Sequence, residues 1–281
     1  MIRFANNETK PEVRDMWKTC FGDSDSFIDM YFAQKYKNEN TLIYIEDGKV
    51  AASLQMLPYT ITFCGEEIPC YYFSGLCTLP QYRRKGYMEK LTLEAFRVMQ
   101  ERSIPLAILI PAEDWLYGFY NRYGFEKVFD KDTDAIPLKD ILDKYPNDLI
   151  QAYEAFDKLF RHKDFCVQKT FDDFKTIASD YIASDYPHKH NLAGMARIVD
   201  ADRLLKVYAR NNPDKSFMLK VFDSLIAQNN LLFINKDGET ELDAEIKFLA
   251  RMLFGYHTYE FKPKYKALFE EHHPIMNLML E

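Results

Sequence analysis

The stretch Leu76-Cys77-Thr78-Leu79-Pro80-Gln81-Tyr82-Arg83-Arg84-Lys85-Gly86-Tyr87-Met88 joins an apolar strand end, a turn, three consecutive cations and a glycine. Beyond it Met88, Leu91, Ala95, Val98 and Met99 recur at helical spacing, so Gly86 falls in the first turn of an amphipathic helix spanning 86 to 102. A helix N-terminus presents unpaired N–H groups and a positive dipole end to an anion. Arg83, Arg84 and Lys85 add full charges there, and Gly86 lets the backbone come close. Three cations in a turn also describe an ordinary solvated basic surface. The order strand, turn, cations, glycine, helix is what makes a pyrophosphate cradle of them.

Upstream, residues 11 to 36 carry helical periodicity broken at Gly22-Asp23-Ser24, which predicts two short helices. Thr41 to Glu46 predicts a strand, Asp47-Gly48 a hairpin turn, and Lys49 to Phe63 a long strand interrupted near Pro58. Cys64-Gly65-Glu66-Glu67 turns the chain into the strand Ile68 to Thr78. Downstream, the apolar run Pro105 to Ile110 suits a buried strand. A helix carrying Trp115, Leu116, Phe119, Tyr120 and Tyr123 stops at Gly124, with Asp114 as its favoured N-cap, and Phe125 to Phe129 begins another strand. Aromatic residues at helical spacing between 131 and 190 predict a helical connector or a shortened second domain. Past Asn191, strands are expected at Met195 to Val199, Phe217 to Phe222 and Asn230 to Asn235, and helices at Ala201 to Tyr208 and Lys264 to Glu271. Ala244 to Phe254 reads as strand passing into helix.

The 281 residues are 47% apolar and 28% charged, the composition of folded domains rather than of a disordered chain. A net charge of −7 argues against a general nucleic-acid surface and leaves the 83 to 85 cluster as a local site for a small polyanion. No run of about 18 uncharged apolar residues and no signal-peptide layout is present, so no membrane partner is expected and the cytoplasm is the default. Cys20, Cys64, Cys70, Cys77 and Cys166 form an odd, scattered set, which argues against disulfides and against a zinc site. His188, His190 and His272-His273 lack an H-E-x-x-H pattern or a cysteine partner and read as solvated loop histidines; no metal is expected.

The cradle resembles the acetyl-CoA signature of the GNAT acyltransferases, Arg/Gln-x-x-Gly-x-Gly/Ala, with Arg83 and Gly86 at the first two fixed positions and Met88 as a departure at the third. The order of elements from 1 to about 130 is also that of the GNAT fold. The resemblance implies acetyl-CoA as co-substrate, a splayed mixed sheet, and pairing of the pantetheine arm with the backbone of Leu76, Cys77 and Thr78. It implies that Arg83, Arg84, Lys85, Gly86, Tyr87 and Met88 hold the phosphates. The last third resembles the sterol-carrier-protein-like domain of the Eis (enhanced intracellular survival) acetyltransferases, on Met195-Ala196-Arg197-Ile198-Val199-Asp200, on Leu249 to Tyr256 and on the tail from Pro274. An α/β (α+β) chain is therefore expected: a GNAT domain over 1–130, a helical connector or shortened second GNAT-like region over 131–190, and a sterol-carrier-protein-like α+β domain over 191–281.

Acyl transfer to an amine needs a base, carbonyl polarisation and a proton donor for the departing thiolate. Tyr120, in Phe119-Tyr120-Asn121-Arg122-Tyr123-Gly124-Phe125, is similar to the GNAT Tyr-x-x-x-Gly-Phe/Tyr helix ending, where the tyrosine is the general acid; on spacing alone it is one aromatic of a core-facing stripe. In Eis-like enzymes the C-terminal carboxylate is the base, which implies Glu281. Glu113, at the end of the buried strand, is the alternative base or amine-binding group. The expected activity is direct acetyl transfer to an amine of a small molecule or peptide. A non-catalytic acyl-CoA sensor and a lipid carrier are the alternatives, and self-association into a homo-oligomer is left open.

Overall fold

The computed structural model describes all residues except 132–134, 185–188, 191–192 and 281. In chain order the elements are β1 (Ile2–Phe4), α1 (Lys10–Phe21), α2 (Asp25–Gln34), β2 (Thr41–Glu46), β3 (Lys49–Phe63), β4 (Glu66–Thr78), α3 (Tyr87–Glu101), β5 (Leu106–Leu109), α4 (Trp115–Asn121) and β6 (Glu126–Phe129). There follow β7 (Ala135–Ile136), α5 (Leu138–Lys144), α6 (Leu149–Phe160), β8 (Cys166–Gln168), α7 (Phe171–Ser184), β9 (Lys189–His190), β10 (Gly194–Ile198) and α8 (Ala201–Asn211). The chain closes with β11 (Phe217–Phe222), β12 (Leu231–Asn235), β13 (Thr240–Glu245), α9 (Ile246–Leu253) and α10 (Pro263–Lys266). Two compact units divide it: Met1–Pro58 with Tyr71–Ser103, and Tyr59–Cys70 with Ile104–Leu280.

In the first unit β2 pairs antiparallel with β1 and with β3, Thr41 opposite Gln55, and the strand order is β1-β2-β3-β4. The broken helical period at 22–24 has a local cause. Gly22 ends α1 in the left-handed region at φ 75°, its N–H donating to the Lys18 carbonyl, and Ser24 starts α2 by accepting from Phe27 N–H at 3.2 Å. Trp17 of α1 then lies against Tyr31 and Phe32 of α2, with ring centroids 4.5 and 6.0 Å apart. Tyr31 O–H donates to Gln55 Oε1 of β3 at 3.1 Å, and its oxygen lies 3.0 Å from the Ser74 hydroxyl of β4, so burial of that phenol leaves no unanswered donor. α3 buries Leu91, Ala95, Phe96, Val98 and Met99, the face its sequence period predicts.

The second unit holds a departure from chain order. β10 stands between β5 and β6, antiparallel to both, with Ala196 opposite Ile108 and Glu126. A strand that the sequence assigns to the last third thus completes the sheet begun by strands almost a hundred residues earlier. β8 pairs with the far end of β3, Ile61 opposite Val167, so the region between 131 and 190 is mostly helical but contributes a strand as well. β11 is the middle strand of a separate three-stranded sheet, antiparallel to β12 and parallel to β13.

Three local expectations are corrected. β3 runs unbroken through Pro58, because that residue is exposed in an otherwise buried strand and its missing N–H costs no buried bond. The helix expected over Lys264 to Glu271 is the single turn of α10: Tyr208 O–H takes the Leu268 carbonyl, and Phe269 packs on Tyr208 and Phe217 instead of continuing the spiral. His272, expected in solvent, stacks on Phe165 with centroids 4.4 Å apart, and burial lowers its pKa. His188 lies outside the described residues. Among the described residues, no helix is long and apolar enough to cross a membrane.

Arg197 of β10 is fully buried, at 0% exposure. Its Nη2 donates to both Asp223 oxygens at 2.9 and 2.7 Å, and its Nη1 donates to the Ile198 carbonyl at 2.9 Å. Asp223 also accepts from Leu225 N–H at 3.0 Å and Asn229 Nδ2 at 2.8 Å. A charge buried at this depth is tolerated only with its partner in place. Asp223→Ala is expected to destabilise the protein by about 3–5 kcal/mol, measured as a fall in the urea midpoint.

Candidate active site

The cradle is built at the end of β4, within the first unit. Leu79 N–H donates to the Ala51 carbonyl at 3.0 Å, tying the exit of β4 to β3. Pro80–Tyr82 make one 3₁₀ turn, Tyr82 N–H bonding to the Leu79 carbonyl at 2.8 Å. Arg83 is extended at φ −64°, ψ 158°, Arg84 is left-handed at φ 62°, and Gly86 is left-handed at φ 74°. Left-handed residues within a turn are a feature of backbone concavities that bind anions. A side chain at Gly86 would strain its backbone, which accounts for the glycine.

Gly86 is the N-cap of α3, and its carbonyl accepts the first helical bond, from Lys90 N–H at 3.2 Å. The N–H groups of Tyr87, Met88 and Glu89 therefore have no partner inside the helix, and no side chain caps them among the described residues. Tyr87 fixes this turn by stacking on Tyr44 of β2, rings 4.0 Å apart and 12° from parallel. Arg83, Arg84, Lys85 and Gly86 are all exposed. Glu89 and Lys90 follow in the first turn, so residues 83 to 90 carry four cations against one carboxylate. Met88 is half-buried and still supplies its N–H. Of the sequence-predicted residues, 83 to 86 thus form an exposed cationic turn leading into a helix start with unpaired donors, while Cys77 and Tyr87 are buried beneath it.

Arg83 does more than line this surface. Its Nε donates to the Thr78 carbonyl at 3.1 Å, capping the end of β4. Cys20, in the last turn of α1, reaches the same carbonyl with its Sγ at 3.7 Å. Cys77 is buried, as expected for a small apolar residue, and its Sγ lies 3.4 Å from Ser53 Oγ. The neighbouring Cys77 thiol, and after it Arg83, bring the Cys20 thiol down to about 7, while Cys77 itself is held well above the ordinary thiol range by Cys20 and by burial. Cys20 is the residue that sequence reasoning missed. It stands 57 positions before Cys77, and nothing in its local pattern marks it.

Tyr120 and Glu113 belong to the second unit. Tyr120, on α4, is 7% exposed and packs edge-to-face on Phe119 and Phe125, with centroids 5.3 and 5.9 Å away. Burial pushes its phenol up to about 12, so it holds its proton throughout the neutral range. The helix stops behind it because Gly124 takes φ 82°, and a Cβ there would come within 2.8 Å of Arg197 Nε. The buried cation of β10 thereby fixes where α4 ends. Glu113 is exposed, and its Oε2 accepts from the Trp115 indole N–H at 2.7 Å. Asp114, expected as the cap of α4, makes no side-chain cap bond; the Glu113 and Asp114 carbonyls accept from Leu116 and Tyr117 instead. Glu281 lies outside the described residues. The segment leading to it is buried from Ile275 to Leu280, with Asn277 Oδ1 accepting from Lys169 Nζ at 2.8 Å.

Residues 1–128 match the model of the acetyltransferase (GNAT) domain family. No curated protein matches the sequence. Among solved structures the chain is similar to a GCN5-related N-acetyltransferase from Anabaena variabilis, with 16% identity over 95% of this chain and 92% of that one and a TM-score of 0.64. It is similar to an Enterococcus faecalis protein described as a probable N-acyltransferase, with 14% identity over 99% and 98% of the two chains and a TM-score of 0.65. It is also similar to Eis1 from Mycobacterium abscessus, with 11% identity over 98% and 99% and a TM-score of 0.63. At these identities the likeness is one of fold, and it extends over nearly the whole chain. The mixed α/β fold expected from the sequence is the one found; with an acetyltransferase (GNAT) domain over residues 1–128, the chain is an enzyme of the acyltransferase class.

Proposed function

We propose that this enzyme moves an acetyl group from acetyl-CoA directly to an amine of a small molecule or peptide. The observation that carries the reading is the uncapped start of α3, with its left-handed Gly86 and the exposed Arg83, Arg84 and Lys85. Free N–H groups beside fixed cations match a pyrophosphate. In this reading the backbone of Leu76, Cys77 and Thr78 pairs with the pantetheine arm. Residues 191–281 are read as a sterol-carrier-protein-like domain, supported by the β12-β11-β13 sheet.

Tyr120 serves the departing sulfur. A phenol raised to about 12 gives up its proton to a thiolate of ordinary pKa, ~8.5, only at a cost of several kcal/mol. Its role is therefore chiefly to donate a hydrogen bond that strengthens as negative charge gathers on sulfur, with complete proton transfer following later. The base that takes the ammonium proton is a carboxylate, Glu281 or Glu113. Glu113 already holds the Trp115 indole, which orients its side chain but occupies one oxygen.

Thiol release from acetyl-CoA across a panel of polyamines, aminoglycosides and lysine peptides tests the reading; no release with any acceptor overturns it. Tyr120→Phe is expected to lower kcat about 100-fold with the KM for acetyl-CoA nearly unchanged. Arg83→Ala should raise that KM about tenfold and flatten its dependence on salt, since it removes one charge-assisted contact to phosphate. Glu113→Gln separates the carboxylates: a retained kcat assigns the base to Glu281, and a loss of about 100-fold assigns it to Glu113.

A further inference from the structure

Two thiols that the proposed transfer does not use meet beside the cradle. Cys20 Sγ and Arg83 Nε converge on one acceptor, the Thr78 carbonyl, at 3.7 and 3.1 Å. Cys77 is the preceding residue of β4, and its Sγ lies 3.4 Å from Ser53 Oγ, which also reaches Met16 of α1 at 3.7 Å, so Cys77 faces the helix that carries Cys20, and the two thiols shift each other's titration. The two differ in the way an attacking and a resolving thiol differ. Cys20 is half-buried and Cys77 is at 6% exposure. Cys20 is substantially a thiolate near neutrality, whereas Cys64 and Cys70 are pushed up to about 12 and Cys166 to about 11, all by burial. A thiolate that solvent reaches, with a second thiol on the adjoining strand residue and a cation alongside, is the arrangement in which oxidation stops at a disulfide.

We propose that Cys20 is an oxidation site for peroxides, that Cys77 resolves it to a disulfide, and that this bond weakens the anion cradle. The Cys20 thiolate attacks one peroxide oxygen; the O–O bond breaks, the sulfur becomes a sulfenic acid, and the other oxygen leaves as hydroxide or alkoxide and takes up a proton. Cys77 then gives up its proton and attacks the Cys20 sulfur, breaking the S–O bond. The departing hydroxide takes that proton and leaves as water. In sum two thiols lose two hydrogens and the peroxide is reduced. A disulfide holds its sulfurs at about 2 Å, so bonding to Cys77 takes the Cys20 sulfur off the Thr78 carbonyl and shifts the end of β4 on which Arg83 is anchored. The effect on the cradle rests on the coenzyme reading above; the disulfide itself does not.

The test uses the full chain, reduced and then treated with a small excess of hydrogen peroxide in the absence of coenzyme. Peptide mapping without reductant should yield the Cys20 peptide joined to the Cys77 peptide, and two of the five thiols should be lost. Dithiothreitol should restore both. In Cys77→Ser, dimedone should trap a sulfenic acid on Cys20; in Cys20→Ser, no joined peptide should form. Retention of all five thiols, a different pairing, or overoxidised Cys20 beside an intact Cys77 overturns the proposal. Titration with a non-reducing thioether analogue of acetyl-CoA should then show about tenfold weaker binding to the oxidised protein, reversed by dithiothreitol. Equal binding by both forms overturns the effect on the cradle. Binding by neither form overturns the coenzyme reading as well, and leaves the joined peptide to decide the disulfide by itself.

Discussion

A guanidinium can be taken out of water only where its charge is answered, and in the second unit that demand organises what surrounds it. Arg197 sits on β10, between β5 and β6, and its partner Asp223 follows directly on β11. Satisfying the pair fixes the distance between the sheet of β5, β10 and β6 and the start of the loop after β11. The same side chain forbids a Cβ at position 124, so α4 ends where Arg197 needs room. Tyr120 is the penultimate residue of α4, four positions before Gly124. The position of the proposed proton donor is thus set by a charge that takes no part in the chemistry.

Electrostatics act in opposite senses at the start of α3 and at Tyr120. At the start of α3 the charges are exposed and the first N–H groups have no partner inside the helix, an unfavourable state for a folded chain that a bound polyanion relieves. At Tyr120 the surroundings are aromatic and closed, and burial raises the phenol to about 12. One place is poised to receive charge from a ligand and the other to withhold its own proton until charge develops. Phosphate binding and leaving-group stabilisation call for those contrasting environments.

The elements legible in the sequence were those specified within a few residues. Gly22 and Ser24 divide α1 from α2, Asp47-Gly48 turns β2 into β3, and the period of Met88 to Met99 marks α3, each through backbone sterics or side-chain spacing that acts locally. The cradle was legible for the same reason, since its turn, cations and helix start are contiguous. The short α10 was not, because the bond from Tyr208 and the packing of Phe269 that end it come from residues far away in the chain. Asp114 failed as a cap although it is of a favoured type: its side chain makes no cap bond, and neighbouring backbone carbonyls satisfy the turn.

By itself, then, the amino-acid order determined the strand, turn and helix that offer an anion site at 76 to 88 and the tyrosine-glycine ending of α4, because spacing and glycine chemistry operate between neighbours. Only the tertiary structure decided that β10 enters the sheet between β5 and β6, that Arg197 must find Asp223, and that Cys20 meets Arg83 at the Thr78 carbonyl. Those pairings join residues 26 to about 90 positions apart. They are chosen by which burial leaves no charge or backbone group unanswered, a condition that belongs to the folded chain as a whole and to no window of its sequence.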